Sequence, residues 1–164
     1  MRVFKEEQRF TQTWIITLLT IQAVIAIIFV SNEFLKSRNR DITEYFGTLA
    51  IILAATGLIF LFKLRTRIDE VGIHYQFFPF HLKLKTIFWR DIETAKTRNY
   101  NAFSEYGGYG VKGTFFGKKI RGIAINVSGN TGIQLKLKNG KKILIGTLKK
   151  NDANTVINRY FNKN

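Results

Sequence analysis

The sequence predicts an α+β chain: an apolar two-helix hairpin over residues 1–64, then an antiparallel β-barrel or sandwich of about seven strands over residues 65–164, closed by a C-terminal amphipathic helix. Three observations predict it. Two long uncharged runs occupy the first third, period-two alternation fills most of the remainder, and a helical period returns at the end. Charge divides at the same boundary. The chain has 164 residues, with 26 Lys plus Arg against 11 Asp plus Glu for a formal +15, yet 46% of it is hydrophobic. Residues 65–164 alone hold 19 basic and 6 acidic side chains. With no cysteine, disulfides, thiolate catalysis and cysteine-ligated zinc are excluded.

The first run, Phe10 to Asn32, has 23 residues without a charge, and the second, Tyr45 to Phe62, has 18. A helix needs about 20 apolar residues to cross a bilayer, so both runs are expected to span, at about 12–31 and 45–64. Trp14 and Tyr45 stand where interfacial aromatics are expected, and Lys63 can snorkel at the end of the second span. Gln22 is the strongly polar interruption of the first run, expected to bond to Thr56 or to a backbone group. The first run lacks a small-residue cleavage site, so it is expected to be retained.

Arg2, Lys5 and Arg9 precede the first span, Lys36, Arg38 and Arg40 lie between the spans, and Lys63, Arg65 and Arg67 follow the second. Two basic flanks outweigh one basic loop, and the downstream domain is basic as well. The expectation is therefore a multi-pass protein of the cell (inner) membrane with both termini cytoplasmic.

Beyond Leu64, alternation is clear at 67–69, 72–77 and 82–89, and further strands are expected near 95–100, 108–113 and 122–127. The plainest hairpin joins 132–138 to 141–146 through Asn139-Gly140, a pair suited to a type I′ turn. Ala153, Val156, Ile157, Tyr160 and Phe161 then recur at helical spacing, with Asn151 or Asp152 available as a cap. Residues 65–164 are expected to fold by themselves.

Thr66-Arg-Ile-Asp-Glu-Val-Gly-Ile-His-Tyr-Gln-Phe-Phe-Pro-Phe80, Glu105-Tyr-Gly-Gly-Tyr-Gly110 and Asn126-Val-Ser-Gly-Asn-Thr-Gly-Ile-Gln-Leu135 followed by Asn139-Gly-Lys-Lys-Ile-Leu-Ile-Gly-Thr147 resemble small bacterial membrane proteins. These carry a pleckstrin-homology-like (bPH) domain after two N-terminal transmembrane helices. The resemblance covers most of the chain and implies a fold and a membrane address, without a shared reaction. Phosphoinositide-binding members of the wider fold place basic residues around their first hairpin. Here Lys83, Lys85 and Arg90 fall across the second and third expected strands, a different register.

Motifs for catalysis are weak. Gly108-Tyr-Gly110-Val-Lys-Gly113 matches a dinucleotide string but lacks the strand-to-helix context that places pyrophosphate at a helix N-terminus. His74 and His81 have no acidic partners at metal-ligand spacing. Ser104 and Ser128 have no evident base, and Asp91 and Glu93 are expected to pair with neighbouring cations. The expectation is no catalytic residue, no metal and no cofactor. Tyr100, Tyr106, Tyr109, Phe115 and Phe116 on a basic sheet could stack bases, but membrane attachment argues against nucleic acid.

Basic clusters remain. Lys83, Lys85, Arg90, Lys118, Lys119 and Arg121 are the candidate lipid-headgroup residues, because each cation near an anionic leaflet contributes about 1 kcal/mol. The function expected is non-enzymatic binding of anionic lipid, a protein partner or a second copy at the membrane surface. The alternative is an accessory subunit of a membrane enzyme or transporter, acting through Gln22.

Overall fold

The computed structural model describes residues 3–38, 41–113 and 122–161. It divides the chain into two compact units, Phe10–Phe62 and Met1–Arg9 with Lys63–Asn164. The sequence places its boundary at 64/65, and this division falls at 62/63 with the first nine residues joined to the second unit. Residues Phe4–Arg9, whose cations the sequence places before the first span, form strand β1 of the β unit.

Within the helical unit, α1 spans Thr13–Lys36 and α2 spans Ile42–Gly57, continued by a 3-10 turn over Leu58–Leu61. Both are long and apolar enough to cross a membrane. Helix α1 runs five residues past the expected 31, and the second helical stretch ends before Lys63, which already belongs to a strand. Asp41 caps α2 by accepting from the Thr43 and Glu44 amides at 2.8 and 3.2 Å. The helices meet through a Ser31–Tyr45 hydroxyl bond of 3.0 Å and a Phe34–Tyr45 ring contact of 4.6 Å. Thr56 donates to the Ile52 carbonyl of its own helix at 2.8 Å, and Gln22 is exposed, so the expected Gln22–Thr56 bridge is not formed. The outward faces are apolar, with Ile25, Phe29 and Ile51 each more than 60% exposed.

The β unit holds nine strands among the described residues, in two sheets, where about seven in a barrel or sandwich were expected. In the first sheet β1 pairs with β2 (Lys63–Ile68), β2 with β3 (Gly72–Phe78) and β3 with β4 (Lys85–Phe88), all antiparallel. The second sheet runs β5 (Ile92–Asn99), β8 (Thr131–Leu137), β9 (Lys142–Gly146), β7 (Ile123–Asn126) and β6 (Gly110–Lys112). Strands β7 and β9 pair in parallel. Strand β9 is buried on both faces, as strands in parallel pairs usually are. Ile143, Leu144, Ile145 and Gly146 are all buried, and Leu144 meets Tyr100, Tyr106 and Ala124 in a second apolar cluster. A short helix, α3 (Ala102–Tyr106), carries two members of that cluster and was not anticipated.

Asn139-Gly140 does form the β8–β9 turn, but not as type I′. Among the described residues only glycines have positive φ, so Asn139 stays on the negative side while Gly140 takes φ 81°. The Gly140 amide bonds to the Leu137 carbonyl and the Leu137 amide to the Lys141 carbonyl, the pattern of a type I turn followed by a glycine bulge.

Helix α4 (Lys150–Phe161) packs on β1, β2, β5 and β8, thereby covering strands of both sheets. Ala153, Val156 and Ile157 are its buried stripe, and Tyr160 and Phe161 lie against Trp89. It begins before Asn151 and Asp152, which sit in its first turn instead of capping it. The core of the unit includes Leu64, Ile68, Ile73, Phe77, Ile133 and Leu135, each at most 1% exposed, and burial of such side chains is the main stabilising term.

Candidate basic site on the first sheet

Strand alternation sorts the first sheet into two faces. Phe4, Ile68, Ile73 and Ile87 form one inward row across the four strands, and Gln8, Leu64 and Phe77 form another. Between them Glu6, Thr66, Tyr75 and Lys85 occupy the intervening row. The opposite face carries Lys5, Arg67, His74 and Thr86 in one row, Glu7, Arg65 and Gln76 in the next, and Arg9, Lys63 and Phe78 in the last. Five cations and one carboxylate thus share the β1–β2 outer surface.

Glu7 is the carboxylate. Its Oε1 accepts from Arg9 at 3.1 and 2.9 Å, and its Oε2 accepts from Arg65 Nε at 2.7 Å. The two guanidinium bonds pull its pKa down to about 2, with Lys63 adding to the effect and partial burial opposing it. Beside it a cleft of about 300 Å³ is lined by Lys5, Arg65, Arg67, Thr66 and Leu84 together with Glu6 and Glu7.

The far corner is held by Asp69. Its Oδ1 accepts from the Val71 amide and faces His74 Nε2, both at 3.0 Å, while Oδ2 pairs with Arg67 at 3.0 Å. Burial alone would raise the Asp69 pKa, but the bonds from His74 and the Val71 amide outweigh it and the value falls. His74 Nδ1 reaches Thr86 at 2.8 Å, linking β3 to β4. These groups tie the β2–β3 turn. Among the described residues no group of three His, Cys, Asp or Glu could hold a metal ion.

Of the expected headgroup residues that are described, Lys83, Lys85 and Arg90 are not gathered into one pocket. Lys83 and Lys85 are exposed at the β3–β4 connection, whereas Arg90 lies past the other end of β4, its guanidinium 5.0 Å above the Phe88 ring. Lys83 and Arg90 stand outside the strands where the sequence put them. Lys118, Lys119 and Arg121 lie outside the described residues. Of the expected interface anchors, Trp14 is 52% exposed, Tyr45 is turned onto α1, and Lys63 is a strand residue paired with Arg9 and Phe78.

Other candidates resolve into structural parts. Arg98 grips both Glu105 oxygens at 3.2 and 2.8 Å and also reaches Tyr106 and Gln134. Lys136 pairs with Glu93 at 2.5 Å. The Gly108–Gly113 string leads out of α3 into β6, the reverse of the order a dinucleotide turn requires. His81 turns inward, and its Nδ1 accepts the Phe77 amide at 3.4 Å. Burial, helped by Lys85, lowers its pKa, which keeps that nitrogen an acceptor at neutral pH.

The signal that sequence reading missed is β1. Lys5, Arg9, Arg65 and Arg67 were legible as charges flanking two spans, but their inward neighbours Glu6 and Gln8 are polar and hid the strand alternation. No family model matches the chain, and no curated protein is similar to it.

Proposed function

We propose that the protein is a non-enzymatic integral membrane protein whose helical hairpin crosses the bilayer and holds a basic, pleckstrin-homology-like β domain against the anionic cytoplasmic leaflet. The observation that carries this reading is the register of β1 with β2. Arg9 and Lys63 are paired neighbours, so the chain leaves the sheet into α1 and returns from the second helix at one place. A hairpin of two spans begins and ends on one side of a membrane, and this strand pair requires its two ends to be adjacent.

Further support comes from the surfaces. Leu18, Ile25, Phe29 and Ile51 would leave a wide apolar exposure in water, which a bilayer covers. The cations of the β1–β2 outer face lie within eight residues of the helix ends along the chain, and charges within about 10 Å of the headgroups act largely unscreened. Two sheets with a C-terminal helix across both favour the pleckstrin-homology-like reading, and the parallel β7–β9 pair departs from a purely antiparallel version.

The test uses the full chain, which has no native cysteine. Single cysteines at Arg38, between the helices, and at Asn139, in the β8–β9 turn, are treated with a membrane-impermeant maleimide in intact cells. Labelling at 38 with protection at 139 is the expected result. Labelling at both, or the reverse pattern, would overturn the topology. In nanodiscs, hydrogen exchange along β1 and β2 should slow with phosphatidylglycerol relative to phosphatidylcholine and recover at high salt.

A further inference from the structure

We propose that the β3–β4 loop, residues 79–84, is an interfacial wedge whose Phe80, Leu82 and Leu84 enter the headgroup–acyl boundary of the bilayer holding the hairpin. This rests on the membrane reading and adds to it a specific, apolar point of contact.

Phe78, the last residue of β3, is the direct strand partner of Lys63, and Lys63 is the first strand residue after the second helical stretch. Paired residues lie about 5 Å apart. The loop therefore starts one strand away from where the chain joins the hairpin, and it leaves the sheet at that same end.

Phe80 is 68% exposed, Leu82 76% and Leu84 50%. Three large apolar side chains within five residues, alternating with His81, Lys83 and the following Lys85, match what an interface accepts: apolar groups sink and ammonium groups snorkel to phosphates. Leu84 also borders the cleft lined by Lys5, Arg65 and Arg67, so the apolar tip adjoins the basic face.

The loop is also held in shape. The His81 amide donates to the Phe77 carbonyl at 2.8 Å, the Gln76 side-chain amide donates to the Leu82 carbonyl at 2.8 Å, and the His81 ring packs edge-on against Tyr75. Phe80 stacks on Phe77 at 6.0 Å and still presents most of its surface outward. These anchors fix the backbone while the apolar side chains project, which lowers the ordering cost of insertion. A protein groove would suit the apolar groups, but the interleaved lysines and the adjacent basic face complement an anionic lipid surface.

The experiment places an environment-sensitive fluorophore on single cysteines replacing Leu82, Asn139 or Ile51 in the full chain, reconstituted into phosphatidylglycerol nanodiscs with bromolipid quencher. Retained circular dichroism of each labelled chain shows that the fold survives. The wedge predicts strong bromolipid quenching at 51, blue-shifted emission with clear quenching at 82, and neither at 139. Quenching at 51 with position 82 behaving like 139 overturns the wedge and leaves the membrane hairpin standing. Absence of quenching at 51 overturns both. Blue-shifted emission at 82 without bromolipid quenching, together with 82-to-82 disulfide cross-linking, assigns the loop to a second copy and also overturns the wedge.

Discussion

Glu6 offers the sharpest test of how the leading strand is held. It sits on the inward face of β1, 9% exposed, and its carboxyl Oε2 accepts the Thr147 hydroxyl at 2.6 Å while Oε1 accepts the Leu148 amide at 2.8 Å. Thr147 itself is fully buried and also accepts the Lys149 amide at 3.1 Å, one residue before α4. Bonds to a carboxylate contribute about 1.5–3 kcal/mol each when a buried partner is otherwise stranded. Because the Leu148 amide is only partly buried, the low end applies to both, and Glu6→Ala should cost about 3 kcal/mol. Thr147→Val should cost about 2 kcal/mol, and the pair should show a coupling of about 1–2 kcal/mol in a double-mutant cycle. The assay is urea unfolding of the full chain in detergent, read by Trp89, which is 4% exposed, in a Trp14→Phe background. A Glu6→Ala loss below about 0.5 kcal/mol, the usual size of a surface effect, would refute the account of β1 as a strand locked onto the β9–α4 connection.

Three further outcomes follow from the same geometry. Residues 65–164 alone lack β1, Lys63 and the fully buried Leu64, so they should give no cooperative thermal transition, whereas residues 3–9 joined by a short turn to 63–164 should. Circular dichroism melts of the two chains decide this. The Glu7 carboxyl titrates near 2 when folded against an ordinary 4.5, so its contribution is complete above pH 4.5 and is lost as pH falls toward 2. Its side chain is 36% exposed, so solvent screening reduces that contribution to about 1 kcal/mol. Glu7→Gln should therefore be about 1 kcal/mol less stable than the parent at pH 7 and equal to it near pH 2, and a gap that persists at pH 2 would contradict the ion-pair account. A Cβ at Gly72 would stand 2.1 Å from the Ile87 carbonyl oxygen, so Gly72→Ala should cost at least about 2 kcal/mol and raise hydrogen exchange in β4. Unchanged exchange there would show that β3 and β4 separate without penalty.

The two apolar helices, the α+β class, the β8–β9 hairpin and the closing helix were legible because each is written in local periodicity and composition. An uncharged run of 18 residues or more has few competing readings, and α4 repeats its stripe over three turns. The type of turn at Asn139-Gly140 was not legible, since the dipeptide serves both a two-residue I′ turn and a type I turn with a bulge, and strand twist and register choose between them. Strand β9 reads as a continuous apolar run, and its parallel partner β7 was not legible because strand direction follows from the path of the intervening chain and not from local periodicity.

The basic site divides in the same way. Sequence by itself determined that the chain is strongly basic, that cations crowd both ends of the apolar hairpin, and that Lys83 and Lys85 are interleaved with Leu82 and Leu84. Tertiary structure alone decided that Lys5, Glu7 and Arg9 share a face with Lys63, Arg65 and Arg67. That pairing joins residues more than fifty positions apart across the whole hairpin, and β1 carries no alternation to announce it, because its inward positions include Glu6 and Gln8. Those polar side chains are acceptable inside only because Thr147, Leu148 and Gly146 stand opposite to bond them, a partnership that no local pattern encodes.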